Sequence, residues 1–184
     1  MRLFTAVELS DAGRAAASQV QEQVVHGLGG SGKLRLVKPE QQHLTLAFIG
    51  EVTEERGRRI VLAMSREIPL SPFRITFRQL DAFPGRGAPR VLILAAAEGM
   101  ERAVELQSYV AERLAAEGVA RDGRPFRPHL TLGRWRDSRP SDRPSSEIQM
   151  AVAVDVDHVA LFQSRLSPAG PSYTRLAAAR LICP

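Results

Sequence analysis

Cysteine is nearly absent from this 184-residue chain: Cys183, beside the C-terminus, is the only one. That excludes an intrachain disulfide and a cysteine zinc cluster, so stability must come from a packed core. Lysine is nearly absent too. Only Lys33 and Lys38 occur, and every other basic side chain is arginine. No uncharged run approaches the length of a membrane span, and the one from Gln41 to Gly50 contains a histidine. The opening Met1-Arg-Leu-Phe-Thr-Ala-Val-Glu8 turns acidic at once and has no signal-peptide core, so a cytoplasmic protein with no membrane attachment is expected. What remains is 44% hydrophobic and 24% charged, the composition of a soluble globular domain. The length suits one domain over residues 1–184, built as two intimate lobes. The formal net charge of +5 carries no polybasic run, so a phosphate-bearing partner is allowed but not demanded. The arginine bias suits bidentate phosphate recognition, and it follows equally from a GC-rich genome.

Periodicity gives the order of elements. Arg2 to Glu8 reads as a strand. Ser10 or Asp11 caps a helix reaching about Leu28, with Ala16, Val20 and Val24 as its apolar stripe. The glycine-rich segment from His26 to Lys33 lacks phosphate-loop spacing and has Leu34 where a hydroxyl residue is needed, so it reads as a loop. Strands are expected at Leu34–Val37, Gln42–Gly50, Phe73–Arg78, Val91–Ala97, His129–Trp135, Glu147–Asp155, Val159–Leu166 and Tyr173–Leu181. Further helices are expected from Glu54 to about Arg66, with Ile60, Val61 and Met64 inward, and from Met100 to Glu117, with Val104, Ala111 and Leu114 inward. Asp81–Pro89 and Asp137–Ser146 read as turn and loop. Strands and helices mix without a regular βαβ beat, which points to an α+β fold with antiparallel sheets.

One feature stands out. His43-Leu-Thr-Leu46 recurs as His129-Leu-Thr-Leu132 in a chain with four histidines, the others being His26 and His158. Each copy follows a proline-containing segment. With a side-chain period of two, His43 and Thr45 share one strand face, as do His129 and Thr131, while the leucines point to the core. An approximate twofold between lobes would set the two pairs facing across a groove. His26, near a helix end, and His158 read as structural, and Trp135 as a packing residue.

Metal chemistry fits this constellation poorly, because two imidazoles without a carboxylate or cysteine nearby leave the coordination shell short. A serine-type triad lacks its carboxylate and its activated serine. Acid–base transfer at phosphorus fits better. An ordinary histidine titrates near 6.5, so one can be neutral and the other protonated. The neutral ring takes a proton from the attacking oxygen and the protonated one gives a proton to the leaving oxygen. Two hydroxyls can hold the non-bridging oxygens.

On these residues the chain resembles the two-histidine phosphoesterases, and within them the bacterial and archaeal RNA 2′,3′-cyclic phosphodiesterases (LigT-like proteins, once described as 2′-5′ RNA ligases). Arg35-Leu-Val-Lys-Pro-Glu-Gln-Gln-His43-Leu-Thr-Leu-Ala-Phe-Ile-Gly50 is similar to the first signature of that family and Pro125-Phe-Arg-Pro-His129-Leu-Thr-Leu-Gly-Arg134 to the second. The opening strand and the segment from Val159 to Tyr173 extend the resemblance over nearly the whole chain. Leu36 departs from it, standing where tryptophan is common. The resemblance implies a bilobal, pseudo-twofold α+β fold, with two antiparallel-rich sheets lining a central groove and helices outside. It implies opening of an RNA terminal 2′,3′-cyclic phosphate to a 2′-phosphate without metal or cofactor. His43 would be the proton donor and His129 the acceptor, with Thr45, Thr131, Arg127 and Arg134 binding phosphate. RNA with a cyclic phosphate end is the expected partner and a monomer the expected state. Three alternatives stay open: the reverse joining of RNA ends such as tRNA halves, action on small nucleotides, and RNA binding without catalysis.

Overall fold

The computed structural model describes residues 1–27, 34–144, 150–168 and 170–184. Residues 28–33 of the glycine-rich segment, the last two residues of the expected polar loop (145–146), the start of the expected strand Glu147–Asp155 (147–149) and residue 169 lie outside the described residues; the described part of that strand is Val152–Val156. The chain runs β1 (Arg2–Glu8), α1 (Asp11–Gly27), β2 (Leu34–Leu36), β3 (His43–Glu51), α2 (Glu54–Ala63), β4 (Phe73–Phe83), β5 (Val91–Glu98), α3 (Met100–Ala116), β6 (His129–Trp135), β7 (Val152–Val156), β8 (His158–Ser167) and β9 (Gly170–Arg180). Short polar side chains start two of the helices. Ser10 Oγ accepts from Gly13 N at 3.1 Å before α1, and Thr53 Oγ1 accepts from Arg56 N at 3.3 Å before α2. No helix among the described residues is long and apolar enough to cross a membrane.

The strands form a curled antiparallel sheet in the order β7-β4-β5-β6-β3-β1-β8-β9, with β2 paired to β6. It is made of two halves. One is β3-β1-β8-β9 and the other β6-β5-β4-β7, and each contains a strand–helix–strand unit, β1-α1-β3 and β5-α3-β6. The halves meet at a single residue pair, Leu44 with Leu130. The two expected sheets are therefore joined by hydrogen bonding at one seam. The equivalent leucines of the repeated tetrapeptide thus pair with each other across the seam.

Leu44, Leu46, Leu130 and Leu132 are all buried in the main core, as the alternation requires. So is Trp135, at 8% exposure, in the packing role read from the sequence. Two expectations need correction. β4 continues through Asp81 to Phe83, where a turn was expected, because Leu80 and Ala82 bury one face against β5 while Asp81 lies between them. The inward face of α3 is Ala103, Leu106, Val110 and Leu114, and Val104 is 39% exposed; the sequence reading rotated the stripe by one residue. One buried polar residue links helix to sheet. Gln21 of α1 donates its Nε2 protons to Val37 O at 2.8 Å and Leu132 O at 2.7 Å, closing two carbonyls beneath the second tetrapeptide.

Gly99, between β5 and α3, has φ +73°, and a Cβ there would collide with the Arg74 carbonyl oxygen. A left-handed backbone at a non-glycine residue costs about 1–3 kcal/mol before any clash. Gly99→Ala is therefore expected to lower stability by at least that amount, seen as a fall in the denaturant midpoint. An unchanged midpoint would contradict the geometry.

Candidate active site

β3 and β6 each begin on a histidine, and the same local device orients both rings. His43 Nδ1 lies 2.7 Å from Gln41 O, and His129 Nδ1 lies 2.7 Å from Arg127 O. A carbonyl oxygen only accepts, so each Nδ1 carries hydrogen and each Nε2 is left as the nitrogen that can take or give a proton. The turn Pro39–Gln41 and the Arg127-Pro128 segment supply these carbonyls two residues upstream. That is why a proline-containing approach precedes each tetrapeptide.

The seam fixes how the pairs stand. Leu44 faces Leu130 in antiparallel register, so one step either way His43 comes opposite Thr131 and Thr45 opposite His129. All four point away from the leucines, onto one face. Cross-strand neighbours have Cβ atoms about 4.5–5.5 Å apart, and the diagonal from one histidine to the other is about 7–8 Å. Each imidazole stands beside the other strand's hydroxyl. Neither threonine hydroxyl has a hydrogen-bond partner among the described residues, and both side chains are half-buried.

Aromatic rings wall the pair. Phe4 lies 5.0 Å from the His43 ring and Tyr173 meets it edge-on at 5.5 Å, while Phe83 meets His129 edge-on at 5.2 Å. Burial pushes His43 down from its ordinary value near 6.5 to about 4; the Gln41 hydrogen bond opposes the shift and the charge of His129 adds to it. His129 is also pushed down, mainly by burial. The hydrogen bond to Arg127 O opposes this, and the charges of Arg127 and Arg134 reinforce it. Burial raises Tyr173 above the usual tyrosine value, against the charges of Arg134 and Arg2, so its hydroxyl is neutral at pH 7.

The arginines divide. Arg127 stacks 5.3 Å over Phe83 and its Nη2 lies 3.1 Å from Asp81 Oδ2, so its charge is partly spent at the margin of the site. Arg134 is exposed and meets no carboxylate among the described residues, yet its field reaches both His129 and Tyr173. His26 is exposed at the end of α1. His158 is held by Asp157 at 2.6 Å and Glu8 at 3.2 Å, apart from the pair. The structure thus brings together His43, Thr45, His129, Thr131 and Arg134, and sets Arg127 at their edge. Sequence reading missed Phe4, Phe83, Asp81 and Tyr173. The alternation of β1, which puts Phe4 on the face of Glu8, was a usable signal for the first; nothing local marked Tyr173. Among the described residues no group of three or more histidine, cysteine or carboxylate side chains is placed to hold a metal ion.

The chain is similar to known proteins over nearly its whole length. The family model described as the 2′-5′ RNA ligase superfamily matches residues 10–167. An RNA 2′,3′-cyclic phosphodiesterase of Archaeoglobus fulgidus is 36% identical over 96% of this chain and 98% of its own. The crystal structure of TT0787 from Thermus thermophilus superposes with a TM-score of 0.77 at 32% identity, covering 98% of this chain and 97% of that one. E. coli LigT complexed with 3′-AMP gives 0.71 at 25% identity, over 98% and 97%. With both histidine signatures inside the matched region, the chain belongs to the 2′-5′ RNA ligase superfamily.

Proposed function

We propose that this protein hydrolyses the terminal 2′,3′-cyclic phosphate of RNA to a 2′-phosphate, with His43 and His129 as an acid–base pair. The observation that carries this reading is the pair of imidazoles flanking the Leu44–Leu130 seam, each with Nδ1 tied to a carbonyl. Family membership and the activity borne by the Archaeoglobus relative support it.

In this reading the cyclic phosphate lies over the seam, its non-bridging oxygens held by Thr45 and Thr131, while Arg134 holds phosphate of the RNA backbone beside it. Arg127, braced by Asp81, adds positive charge at the margin. Nε2 of His129 takes a proton from water as the water oxygen bonds to phosphorus. The P–O3′ bond breaks, and Nε2 of protonated His43 gives its proton to O3′. The Nδ1–H bonds to Gln41 and Arg127 keep both rings aimed throughout and stabilise whichever ring is charged. The products are a free 3′-hydroxyl and a 2′-phosphate.

The lowered imidazoles set the pH dependence. The active form carries one proton on the pair. With both rings pushed below 6.5, the free enzyme loses that proton as pH rises through the acidic range. The kcat/KM profile on a 2′,3′-cyclic substrate is therefore expected to be a bell with its maximum below pH 6.5. A bound anionic phosphate favours the imidazolium, so the alkaline limb of kcat should lie at higher pH than that of kcat/KM. Coincident limbs, or a kcat/KM maximum above pH 7, would contradict the assignment.

The direct test is RNA ending in a 2′,3′-cyclic phosphate, incubated with excess chelator, with the product isomer identified. Release of a 2′-phosphate is expected, and a joined product would favour ligation. His43→Ala and His129→Ala, checked for folding, should each lower kcat/KM about a hundredfold to ten-thousandfold, the range of a general acid or base. His26→Ala should leave it near wild type. Near-wild-type turnover by the folded His43 and His129 variants would overturn the mechanism.

A further inference from the structure

β2 is three residues long and pairs with β6, Leu34 opposite Trp135, Arg35 opposite Arg134 and Leu36 opposite Gly133. Two guanidinium side chains thus face each other across one strand pair. Like charges directly opposite are unfavourable in a sheet. Some arginines on or beside this sheet are answered by carboxylates, Arg74 by Asp155, Arg127 by Asp81 and Arg175 by Glu8, while Arg2, Arg78, Arg165 and Arg180 meet none among the described residues. Arg35 and Arg134 have no such partner among the described residues, and both are exposed. An anion from outside the chain is the group that would relieve the repulsion.

The two side chains are also aimed. Between Thr131 and Arg134 the pairing of β6 with β5 shifts register, Ile93 facing Thr131 but Leu92 facing Gly133. Strict alternation from Thr131 would put Gly133 on the histidine face; the shift re-phases the strand so that Arg134 falls there instead. The influence of Arg134 on His129 and Tyr173 agrees with that placement. Arg35, directly opposite, shares the face. Gly133 lets β2 approach, since a Cβ there would come 3.1 Å from Arg35 O and 2.9 Å from Leu34 Cδ1. At the far side, a Cβ on Gly170 would lie 3.4 Å from Arg35 Nη2, so this guanidinium rests against the start of β9. Gln41 Nε2 donates to Pro171 O at 2.6 Å, fastening the same strand to the turn that precedes His43.

We propose that Arg35 and Arg134 form a second phosphate site, which takes the phosphodiester joining the last two nucleotides of the RNA. This rests on the cyclic phosphodiesterase reading above. Arg134 stands three residues beyond Thr131, up to about 10 Å along an extended strand and less across the shift. That separation suits one nucleotide unit, with the arginine side chains closing the remainder. Two forked guanidinium groups are matched to the oxygens of one phosphate. The site gives the enzyme a preference for RNA over a lone cyclic mononucleotide.

The experiment compares kcat/KM for a dinucleotide ending in a 2′,3′-cyclic phosphate with that for a mononucleoside 2′,3′-cyclic phosphate, in wild type, Arg35→Gln and Arg35→Lys. Thermal midpoints verify folding. The wild type should prefer the dinucleotide. Arg35→Gln should cost about tenfold or more on the dinucleotide, mostly in KM, and several-fold less on the mononucleotide. Arg35→Lys should recover part of the loss, because charge is kept while the fork is not. The salt slope of log kcat/KM on the dinucleotide should shrink by about 0.7 in Arg35→Gln, the value for one phosphate contact on a single strand. Equal losses on both substrates, or none on either, would overturn the second site and leave the hydrolase reading intact. A wild type that opens neither substrate would overturn both.

Discussion

Leu44 faces Leu130 where the two halves of the sheet meet, and the relative placement of the two histidine–threonine pairs follows from that pairing. The contact itself is apolar and buried, with 1% and 0% of the two side chains exposed. Its consequence is polar. Because the register is antiparallel and centred on the second residue of each tetrapeptide, the first and third residues of one strand fall opposite the third and first of the other. Two histidines and two threonines become a crossed set. A slip by one residue would turn the imidazoles into the core and the leucines onto the groove. Gln21, clasping Val37 and Leu132 from α1, holds β6 and the end of β2 to the same helix and so guards that register.

Burial then gives the pair its chemistry. Walled by Phe4, Tyr173 and Phe83, the imidazoles are less able to hold charge than in water. The groove itself carries arginine charge near His129, which adds to the penalty. An anionic phosphate reverses the sign of that environment. The proton needed for the leaving oxygen is thus best accommodated when substrate is present. The carbonyls of Gln41 and Arg127 make this workable, because they keep Nδ1 protonated in both charge states and confine the exchange to Nε2.

The sequence made the central part of this legible because it is local. A period of two places His43 with Thr45 and His129 with Thr131, and duplication of a histidine-bearing tetrapeptide marks them as a set. The prolines before each copy mark the approach that turns a carbonyl back to each ring. What could not be read depends on contacts distant along the chain. Tyr173 reaches His43 only through the β1-β8-β9 pairings. Asp81 lay in a stretch with turn composition, and its partnership with Arg127 depends on β4 running past Leu80 alongside β5. Arg35 lies inside the quoted first signature, but its placement opposite Arg134 comes from a three-residue strand attached to β6. The inward face of α3 was misread because small and apolar residues are spread around that helix, and Ala103 rather than Val104 meets the core.

The most direct test of the central claim is nitrogen-15 NMR of the histidine rings, titrated with pH in the free enzyme and with a bound 2′-phosphorylated product. The account requires His43 and His129 to be neutral at pH 7 in the free enzyme, with hydrogen on Nδ1 and not on Nε2. It also requires the bound product to raise the titration of at least one of them, with the added proton on Nε2. Rings that carry hydrogen on Nε2 when neutral, or that titrate near 6.5 with and without the phosphate, would contradict it.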